Sequence, residues 1–401
     1  MSGPLEGIKV LDISGGAAGP IAASLLAELG ADVIKVEAPW GDFVRNRAPY
    51  KNGVDLMVTG FSRSKRSLVL DLTTDRDRAL MMQLVEWADI FLENFKGGTV
   101  ERMGLGYDDL RAVNPRIIYA SSGSYGSRGP LRSKSTMGNT SVMFSGWGSI
   151  SGPPGGRGET PRNGGIAADP VSPTFFTTDI LLALYHRERT GVGQKVDTAQ
   201  ILTSVAFLQT RAQQFFATGD QPTLRGSASD FLVPSEAFAA ADDFLAVEAP
   251  TDGTWRRLCD ALGVPALATD ARFASNAARV EHRDELVPEL AAIFKSRPIA
   301  HWLSALRAVD VPCARVSTTF DDLYADPQVQ ANQLVFEMDH PVAGPLKTSA
   351  VPWEFSRTPA EVKSLGPMLG EHSAEIREEF GFQPEDEREL AAARAARLVG
   401  L

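Results

Sequence analysis

Cysteine is scarce in this chain, since Cys259 and Cys313 are the only two among 401 residues. Two cysteines cannot build a disulfide framework, and their spacing matches no zinc-binding motif. A low cysteine content is typical of proteins from a reducing compartment. We therefore expect packing roles for both thiols and no structural metal.

The chain also lacks an excess of basic residues. Lysine and arginine number 40 against 50 aspartates and glutamates, which gives a formal net charge of -10. An acidic chain repels nucleic acids and anionic membranes, which bind to basic stripes. We expect neither kind of partner, and an anionic ligand would need local clusters of basic residues.

Long apolar segments are absent as well. The most apolar helical stretch, at 175–185, is interrupted by Asp179 and falls short of the roughly 20 residues that a membrane-spanning helix needs. The N-terminal residues MSGPLEGIKVLDISGG enter a strand-like pattern without the basic and apolar regions of a signal peptide. We expect a cytoplasmic protein.

Length and hydrophobic patterning predict an α/β fold with two domains. One hydrophobic core rarely serves more than about 300 residues, and this chain is longer. Between residues 8 and 200, short β-branched runs alternate with helical patterns, which indicates βαβ units and a mainly parallel sheet. The predicted strands of this region are 8–13, 32–36, 67–72, 89–92 and 116–120.

Changes in composition mark the predicted domain boundaries. Residues 127–162 are rich in Ser, Gly and Pro, which predicts long loops around one helix at 137–146. Residues 219–229 are polar and contain Pro222, as is typical of a linker between domains. The predicted organisation is a first part of the large domain at 1–218, a linker at 219–229, a small domain at 230–315, and a return linker with the C-terminal part of the large domain at 316–401.

A glycine-rich turn, SGGAAGP at 14–20, follows the first predicted strand. It is close to a dinucleotide-binding fingerprint, with Ser14 in place of the first glycine and Glu37 where a ribose-binding acid would lie. An NAD-dependent dehydrogenase is therefore one interpretation. Close packing of a tight βα turn explains the glycines equally well, so the loop alone does not decide between the two.

Further blocks along the chain carry a family resemblance. They are VLDISGGAAGPIAASLLAELGADVIKVEAPWGD, FSRSKRSLVLDL, DIFLENFKGGTVERMGLGYDDLRAVNPRIIYASSGSYGSRGP, HRERTGVGQKVD, DARFASNAARVEHRDEL and GEHSAEI. In this order they resemble the class III CoA-transferases, the CaiB/BaiF and formyl-CoA transferase group. The blocks run from near residue 10 to near residue 376, so the resemblance covers almost the whole chain.

The resemblance implies an architecture and a reaction. The fold would be α/β, with a Rossmann-like large domain built from both ends of the chain, an inserted small α+β domain, and two subunits interlocked as a homodimer. The reaction would move CoA from an acyl-CoA donor, with succinyl-CoA as an expected donor, to a carboxylic acid acceptor. No cofactor would be bound permanently, because the CoA thioester is itself a substrate.

The resemblance also implies a nucleophile. In the family it is an aspartate after a glycine-containing segment and before a long helix, and RNGGIAAD, ending at Asp169, matches that place ahead of the predicted helix at 173–189. A carboxylate can form a mixed anhydride with the donor acid and then hold CoA as an aspartyl thioester. An aspartate before a helix is also a common cap, which is the structural alternative for Asp169.

Binding groups for the substrate follow from the same resemblance. Oxyanions that form during acyl transfer need N–H donors, and the candidates are the backbone amides of Gly16, Ala17 and Ala18 and the small-domain loop at 248–253. Residues 248–253, EAPTDG, lack the glycine run of the formyl-CoA transferases, so formate and oxalate are not implied as substrates. The implied CoA-binding residues are Arg45, Lys65, Arg66, Leu72, Asn94, Phe95, Arg102 and Lys134.

Two other functions stay open within the same superfamily. An α-methylacyl-CoA racemase would use a His followed by an Asp early in the helix at 137–146, where this chain has Met137 and Gly138. Neither of those residues can act as a base. A non-catalytic partner subunit of a heteromeric CoA-transferase is the second alternative, and the presence of Asp169 argues against it.

Overall fold

The computed structural model describes residues 3–154, 156, 169 and 171–383. The glycine-containing segment before Asp169, residues 162–168, lies outside these residues, and so does the predicted C-terminal part of the large domain beyond residue 383.

The described residues form strands and helices in alternation through the first half of the chain. The strands are β1 (Lys9–Asp12), β2 (Asp32–Glu37), β3 (Tyr50–Lys51), β4 (Val54–Asp55), β5 (Arg66–Val69), β6 (Ile90–Glu93), β7 (Ile118–Gly123), β8 (Lys195–Ala199), β9 (Ser235–Ala239), β10 (Phe244–Glu248), β11 (Cys313–Arg315), β12 (Val335–His340) and β13 (Gly344–Ser349). The helices are α1 (Ala18–Glu28), α2 (Leu56–Phe61), α3 (Asp75–Trp87), α4 (Thr99–Arg102), α5 (Tyr107–Val113), α6 (Gly138–Phe144), α7 (Val171–Thr190), α8 (Gln200–Ala206), α9 (Gln209–Thr218), α10 (Asp252–Leu262), α11 (Ala266–Thr269), α12 (Asn276–Glu281), α13 (Arg283–Lys295), α14 (Ile299–Ala308), α15 (Phe320–Ala325), α16 (Pro327–Ala331) and α17 (Ser373–Glu379).

A six-stranded parallel sheet with the order β5-β2-β1-β6-β7-β8 confirms the prediction of a mixed α/β fold with a mainly parallel sheet. The five strands predicted before residue 120 are all present, with small shifts at their ends. Their side chains form near-continuous apolar runs, because helices cover a parallel sheet on both faces. Leu11, Ile34 and Phe91 pack on one face, and Val10 and Val33 pack on the other.

The connections of the sheet bring the ends of two helices to one edge. Helices α1 and α7 lie on the same face, where Ala22 and Phe176 belong to one buried cluster. Crossover helices run antiparallel to the strands that they connect. The amino-terminal ends of α1 and α7 therefore lie at the edge where the strands end, which we call the carboxyl edge.

The described residues divide into two compact units. The first is formed by the described parts of Met1–Trp147, Arg162–Ala212 and Gln330–Leu401, and it contains the six-stranded sheet. The second is formed by those of Gly148–Pro161 and Gln213–Val329. Its three-stranded antiparallel sheet β11-β10-β9 packs with helices around a core that contains Leu245, Trp255 and Phe294.

The described residues include neither a membrane-spanning helix nor a cluster of metal ligands. No helix in these ranges has the length and hydropathy to cross a membrane. Within the same ranges, no three His, Cys, Asp or Glu side chains are grouped as metal ligands. Cys259 and Cys313 are both free thiols, and Cys259 is buried.

Candidate active site

Side chains from neighbouring segments hold the loop between β1 and α1 at the carboxyl edge. Asn94 Oδ1 accepts a hydrogen bond from the Gly15 N–H at 2.8 Å, and its Nδ2 donates to the Gly15 carbonyl at 2.7 Å. The Gly16 N–H donates to Asp42 Oδ2 at 2.9 Å, and its φ of +77° favours glycine. Partners outside the loop therefore determine its conformation, and they engage the Gly16 amide.

Buried charges lie beneath the same loop. Lys35 Nζ donates to the Ser14 carbonyl at 2.8 Å. Lys65 Nζ donates to Asp12 Oδ2 at 2.8 Å and to the Pro20 carbonyl at 2.7 Å. Burial lowers the pKa of Lys65 to about 8, although the Asp12 carboxylate opposes this shift. Because Lys65 is buried, it supports the loop from inside the protein.

A cavity of about 920 Å³ opens beside this loop. Ligand cavities in proteins usually measure about 300 to 1,000 Å³ and are mainly apolar, so this one can accept a nucleotide-sized ligand. Trp40 and Phe43 expose 43% and 49% of their surface and offer aromatic faces to such a ligand. The residues that line the cavity include Ile13, Gly15, Val36, Trp40, Phe43 and Phe95.

Glu37, the residue that a dinucleotide fingerprint would use for a ribose, is bound by protein groups. Arg45 donates to it through Nε at 2.8 Å and Nη2 at 2.7 Å, and the Asp42 N–H donates to Oε1 at 2.9 Å. Burial would raise the pKa of Glu37, but the Arg45 and Lys35 cations outweigh it and the pKa is lowered. Glu37 and Arg45 thus form a structural ion pair at the base of the cavity.

Arg66 is the predicted CoA-binding residue that the structure does not bring to the carboxyl edge. Its guanidinium donates to Asp32, the first residue of β2, at 2.7 Å and to Glu379 at 2.7 Å. Asp32 lies at the opposite edge of the sheet, where the strands begin. The Arg66 cation is therefore neutralised by carboxylates away from the cavity.

The remaining predicted CoA-binding residues lie near the cavity or on the surface. Phe95 lines the cavity, and Leu72 lines a smaller one beside it, with Met103 shared by both. Arg102 and Lys134 are exposed. Sequence analysis missed a further cation, Arg47, whose guanidinium carbon lies 4.9 Å from the centre of the Phe43 ring. An exposed arginine beside a cavity aromatic is a candidate for binding phosphate.

Asp169 lies just before α7, at the carboxyl edge, and is half-buried. Gln200, the first residue after β8, donates from Nε2 to Asp169 Oδ1 at 3.0 Å. Ser141 on α6 donates from its hydroxyl to Gln200 Oε1, also at 3.0 Å. Burial raises the pKa of Asp169, and the hydrogen bond from Gln200 opposes that shift. A short chain of polar side chains thus orients the carboxylate.

Gly138 lies directly against the same carboxylate. A Cβ atom at this position would come within 2.6 Å of Asp169 Cγ and closest to Oδ2. A side chain at residue 138 would therefore displace the carboxylate.

The sequence indicated Asp169 as the nucleophile, which stays a prediction, but it pointed neither to Gln200 nor to the contact with Gly138. The signal for Gln200 was weak, since a glutamine at the start of ILTSVAFL reads as an ordinary helix residue. The contact with Gly138 joins segments that are distant in sequence, and no local pattern encodes it.

The fold and the site define a class of protein. Open parallel α/β sheets bind ligands in crevices at the ends of their strands. Here that edge carries a nucleotide-sized cavity, a glycine loop held by side chains, and a half-buried carboxylate near the amino-terminal end of a long helix. Such an arrangement can bind a nucleotide-bearing substrate and attack it with a carboxylate.

Comparison with known proteins identifies the family. The model of CoA-transferase family III matches residues 5–373. The succinyl-CoA:mesaconate CoA-transferase of Haloarcula hispanica is 34% identical over 390 residues, which cover 94% of this chain and 97% of that protein. The succinate–glutarate CoA-transferase of Agrobacterium fabrum is 34% identical over 382 residues, which cover 93% and 94%. The chain therefore belongs to CoA-transferase family III, and it is a CoA-transferase.

A solved structure agrees with this assignment. The crystal structure of a CaiB/BaiF family protein from Brucella suis matches with a TM-score of 0.82 and 31% sequence identity, covering 94% of this chain and 100% of that one. The predicted family resemblance is confirmed. The dehydrogenase interpretation of the glycine loop is set aside, since the loop belongs to a CoA-transferase.

Proposed function

We propose that this enzyme transfers CoA from succinyl-CoA to a carboxylic acid through covalent intermediates on Asp169. The observation that carries the proposal is the half-buried Asp169 carboxylate, which Gln200 orients at the same edge as the large cavity. A surface cap would have its carboxylate in water, and its pKa would not be raised by burial as that of Asp169 is.

The proposed reaction has two symmetrical halves. The Asp169 carboxylate attacks the thioester carbonyl of the donor, the C–S bond breaks, and a mixed anhydride and CoA thiolate form. The thiolate then attacks the aspartyl carbonyl, which gives an aspartyl-CoA thioester and releases the donor acid. The acceptor carboxylate reverses these steps, leaves as its CoA thioester, and restores the Asp169 carboxylate.

Names of related proteins support the choice of donor. The relative from Haloarcula hispanica is a succinyl-CoA:mesaconate CoA-transferase, and the one from Agrobacterium fabrum is a succinate–glutarate CoA-transferase. Succinyl-CoA is accordingly the first donor to test. Because the acids in both names carry two carboxylates, a dicarboxylic acid is the acceptor class to test first.

The CoA moiety is proposed to occupy the large cavity. Trp40 and Phe43 would contact the adenine and Phe95 the pantetheine arm, since all three line the cavity. Exposed cations would neutralise the phosphates, with Arg47 beside Phe43 as the nearest candidate. Arg102 and Lys134 stay in this set, whereas Arg45, Lys65 and Arg66 are proposed to support the fold through their ion pairs.

The oxyanion of the thioester carbonyl is proposed to be bound at the glycine loop. The Gly16 amide donates to Asp42, so the amides of Ala17 and Ala18 at the start of α1 are the preferred donors. Backbone amides at a helix start carry partial positive charge that favours an anion.

The assembly is proposed to be an interlocked homodimer in the cytoplasm, with the second compact unit as the inserted small domain. Support comes from large apolar side chains that are exposed in this single chain. Phe216 on α9 exposes 76% of its surface and Phe320 on α15 exposes 75%. A second subunit would give such side chains a partner.

Isotope exchange tests the proposed reaction without knowledge of the acceptor. Wild-type enzyme should move carbon-13 from labelled free succinate into succinyl-CoA, because the donor half-reaction is reversible on Asp169. Asp169→Ala should reduce this exchange to background. Asp179→Ala is the matched control and should retain the exchange activity. Asp179 lies on α7, and like Asp169 it is half-buried and has a pKa that is raised by burial.

The alternative functions predict other results. A racemase would exchange the α-proton of a 2-methylacyl-CoA with deuterated water and would not exchange succinate. A non-catalytic subunit would show neither activity. Either result would contradict the proposal.

A further inference from the structure

We propose that the Gln200 side-chain amide is the hydrogen-bond donor to the oxyanion that forms from the aspartyl carbonyl of Asp169. Because the amide contacts only one of the two carboxylate oxygens, these oxygens have different roles in the reaction. This inference rests on the proposed function and extends it to a residue outside the glycine loop. Gln200 holds Oδ1, which becomes the carbonyl oxygen of the intermediates, and Oδ2 is the oxygen that attacks.

The orientation of the amide follows from its partners. An ionised carboxylate only accepts hydrogen bonds, so the Gln200 atom at 3.0 Å from Asp169 Oδ1 is the NH₂ group. The hydroxyl of Ser141 binds the other end of the amide, Oε1, at 3.0 Å. Turning the amide over would place its carbonyl oxygen against the carboxylate, where no hydrogen bond can form.

Burial increases the effect of this donor. Gln200 exposes 9% of its surface and Ser141 exposes none. Hydrogen bonds away from water are electrostatically stronger, and a donor that is fixed before the reaction does not need to reorganise when charge develops.

The two sides of the carboxylate differ. On the Oδ1 side lies the Gln200 amide. Gly138 packs closely against the carboxylate, where an added Cβ would collide with both oxygens and come closest to Oδ2. The Gln200 N–H draws electron density towards Oδ1, so Oδ2, which does not receive that hydrogen bond, is the more nucleophilic oxygen.

The proposed chemistry places charge on Oδ1. After Oδ2 attacks the donor thioester, the mixed anhydride keeps Oδ1 as the aspartyl carbonyl oxygen. When the CoA thiolate adds to Cγ, the carbonyl electron pair moves to Oδ1, where the Gln200 N–H stabilises it. Collapse of this intermediate breaks the bond from Cγ to Oδ2, and the donor acid leaves with Oδ2 in its carboxylate. The acceptor acid passes through the same oxyanion when it attacks the aspartyl thioester.

Gln200→Leu is the direct test, with succinate exchange into succinyl-CoA as the assay. Loss of one oxyanion donor typically lowers kcat by about 100-fold to 1,000-fold, and we expect a loss in this range with little change in KM for succinyl-CoA. The acid limb of the pH profile should move to higher pH. The hydrogen bond that opposes the burial-raised pKa of Asp169 is lost, so a larger fraction of the carboxylate is protonated at a given pH.

Three further variants separate this role from a structural one. Gln200→Glu keeps the side-chain volume but removes the N–H donor and adds a negative charge. The added charge should raise the pKa of Asp169 further, so the acid limb of the pH profile should lie at a higher pH than in Gln200→Leu. Ser141→Ala leaves the Gln200 donor present but without its support, and its kcat should fall by less. Ser145→Ala is the matched control, because this buried hydroxyl donates only to the Val142 carbonyl, and it should behave as wild type.

The outcomes distinguish the inference from the proposed function. If Gln200→Leu and Gln200→Glu keep the wild-type kcat and acid limb while Asp169→Ala is inactive, the inference is wrong and the proposed function stands. If the wild-type enzyme exchanges no succinate, the proposed function fails and the inference fails with it.

Discussion

At the scale of single residues, the nucleophilic role that we propose for Asp169 sets two opposing demands. A nucleophilic carboxylate must be ionised, yet it reacts in a site from which water is largely excluded, and burial raises its pKa. The hydrogen bond from Gln200 and the nearby amino-terminal end of α7 both favour the ionised form. Asp169 can therefore be shielded from water and still be ionised, as the proposed nucleophile must be.

Gly138→Ala tests how closely the carboxylate position is controlled. The added methyl group would overlap Asp169, whose Cγ would lie 2.6 Å away, and a displacement of about 1 Å in an active site can cost 100-fold in rate. We expect kcat for CoA transfer to fall by about that factor, as measured in the exchange assay, while the melting temperature changes little.

Gly60→Ala is the control for the Gly138 variant. Gly60 lies in α2, and an added Cβ would have nothing within 4 Å. This variant should keep full activity. Equal activity of the two alanine variants would contradict the contact between Gly138 and Asp169.

Some of the candidate site residues could be proposed from the sequence, and others could not. The family pattern around Asp169 indicated it as the nucleophile, and that role stays a prediction. Arg66 was placed with the CoA-binding residues because RSKRS matches basic positions that the family uses near the nucleotide, but its partner Asp32 lies at the other edge of the sheet. The direction of a long side chain depends on its neighbours in space, and a sequence pattern does not contain that information.

At the scale of elements, the glycine loop depends on side chains from other segments. Asn94 follows β6 and Asp42 follows β2, and both bond to the loop backbone. These bonds hold the loop backbone in one conformation. For the oxyanion site that we propose at Ala17 and Ala18, a loop held in this way loses less conformational entropy on binding than a flexible loop would.

Asn94→Ala is predicted to weaken substrate binding more than it weakens the fold. It removes both hydrogen bonds to Gly15, so the loop should become mobile and the KM for succinyl-CoA should rise about tenfold, which corresponds to about 1.4 kcal/mol. Steady-state kinetics and thermal unfolding measure the two effects.

Asn114→Ala is the matched control for that variant. Asn114 also donates to backbone carbonyls, those of Val85 and Ala88, but Ala88 lies before β6 at the edge where the strands begin. It should lower the melting temperature similarly and leave KM unchanged. A similar rise in KM for both variants would show that general loosening of the fold accounts for the effect.

Most elements of the parallel sheet could be predicted from sequence, because buried strands read as β-branched runs. Strand β8 was not predicted. Its sequence, KVDTA, carries charged and polar residues, and it lies at the edge of the sheet next to β7 only. An edge strand is covered less completely, so its apolar signal is weaker.

At the scale of the whole molecule, the proposed interlocked homodimer has a distinctive kinetic consequence. Interlocked subunits can separate only by unfolding, so two homodimers with different tags should not exchange subunits when mixed under native conditions. Native mass spectrometry measures the exchange. Co-expression of the tagged chains should give heterodimers, which is the control, and rapid exchange on simple mixing would contradict interlocking.

The central claim is that CoA becomes covalently attached to Asp169 during turnover. The most direct test is rapid acid quenching after mixing with succinyl-CoA, followed by intact-protein mass spectrometry and peptide mapping. The account predicts an adduct with the mass of CoA less water on the peptide that contains Asp169, and no adduct in Asp169→Ala. Turnover without a covalent adduct, or an adduct on another residue, would contradict it.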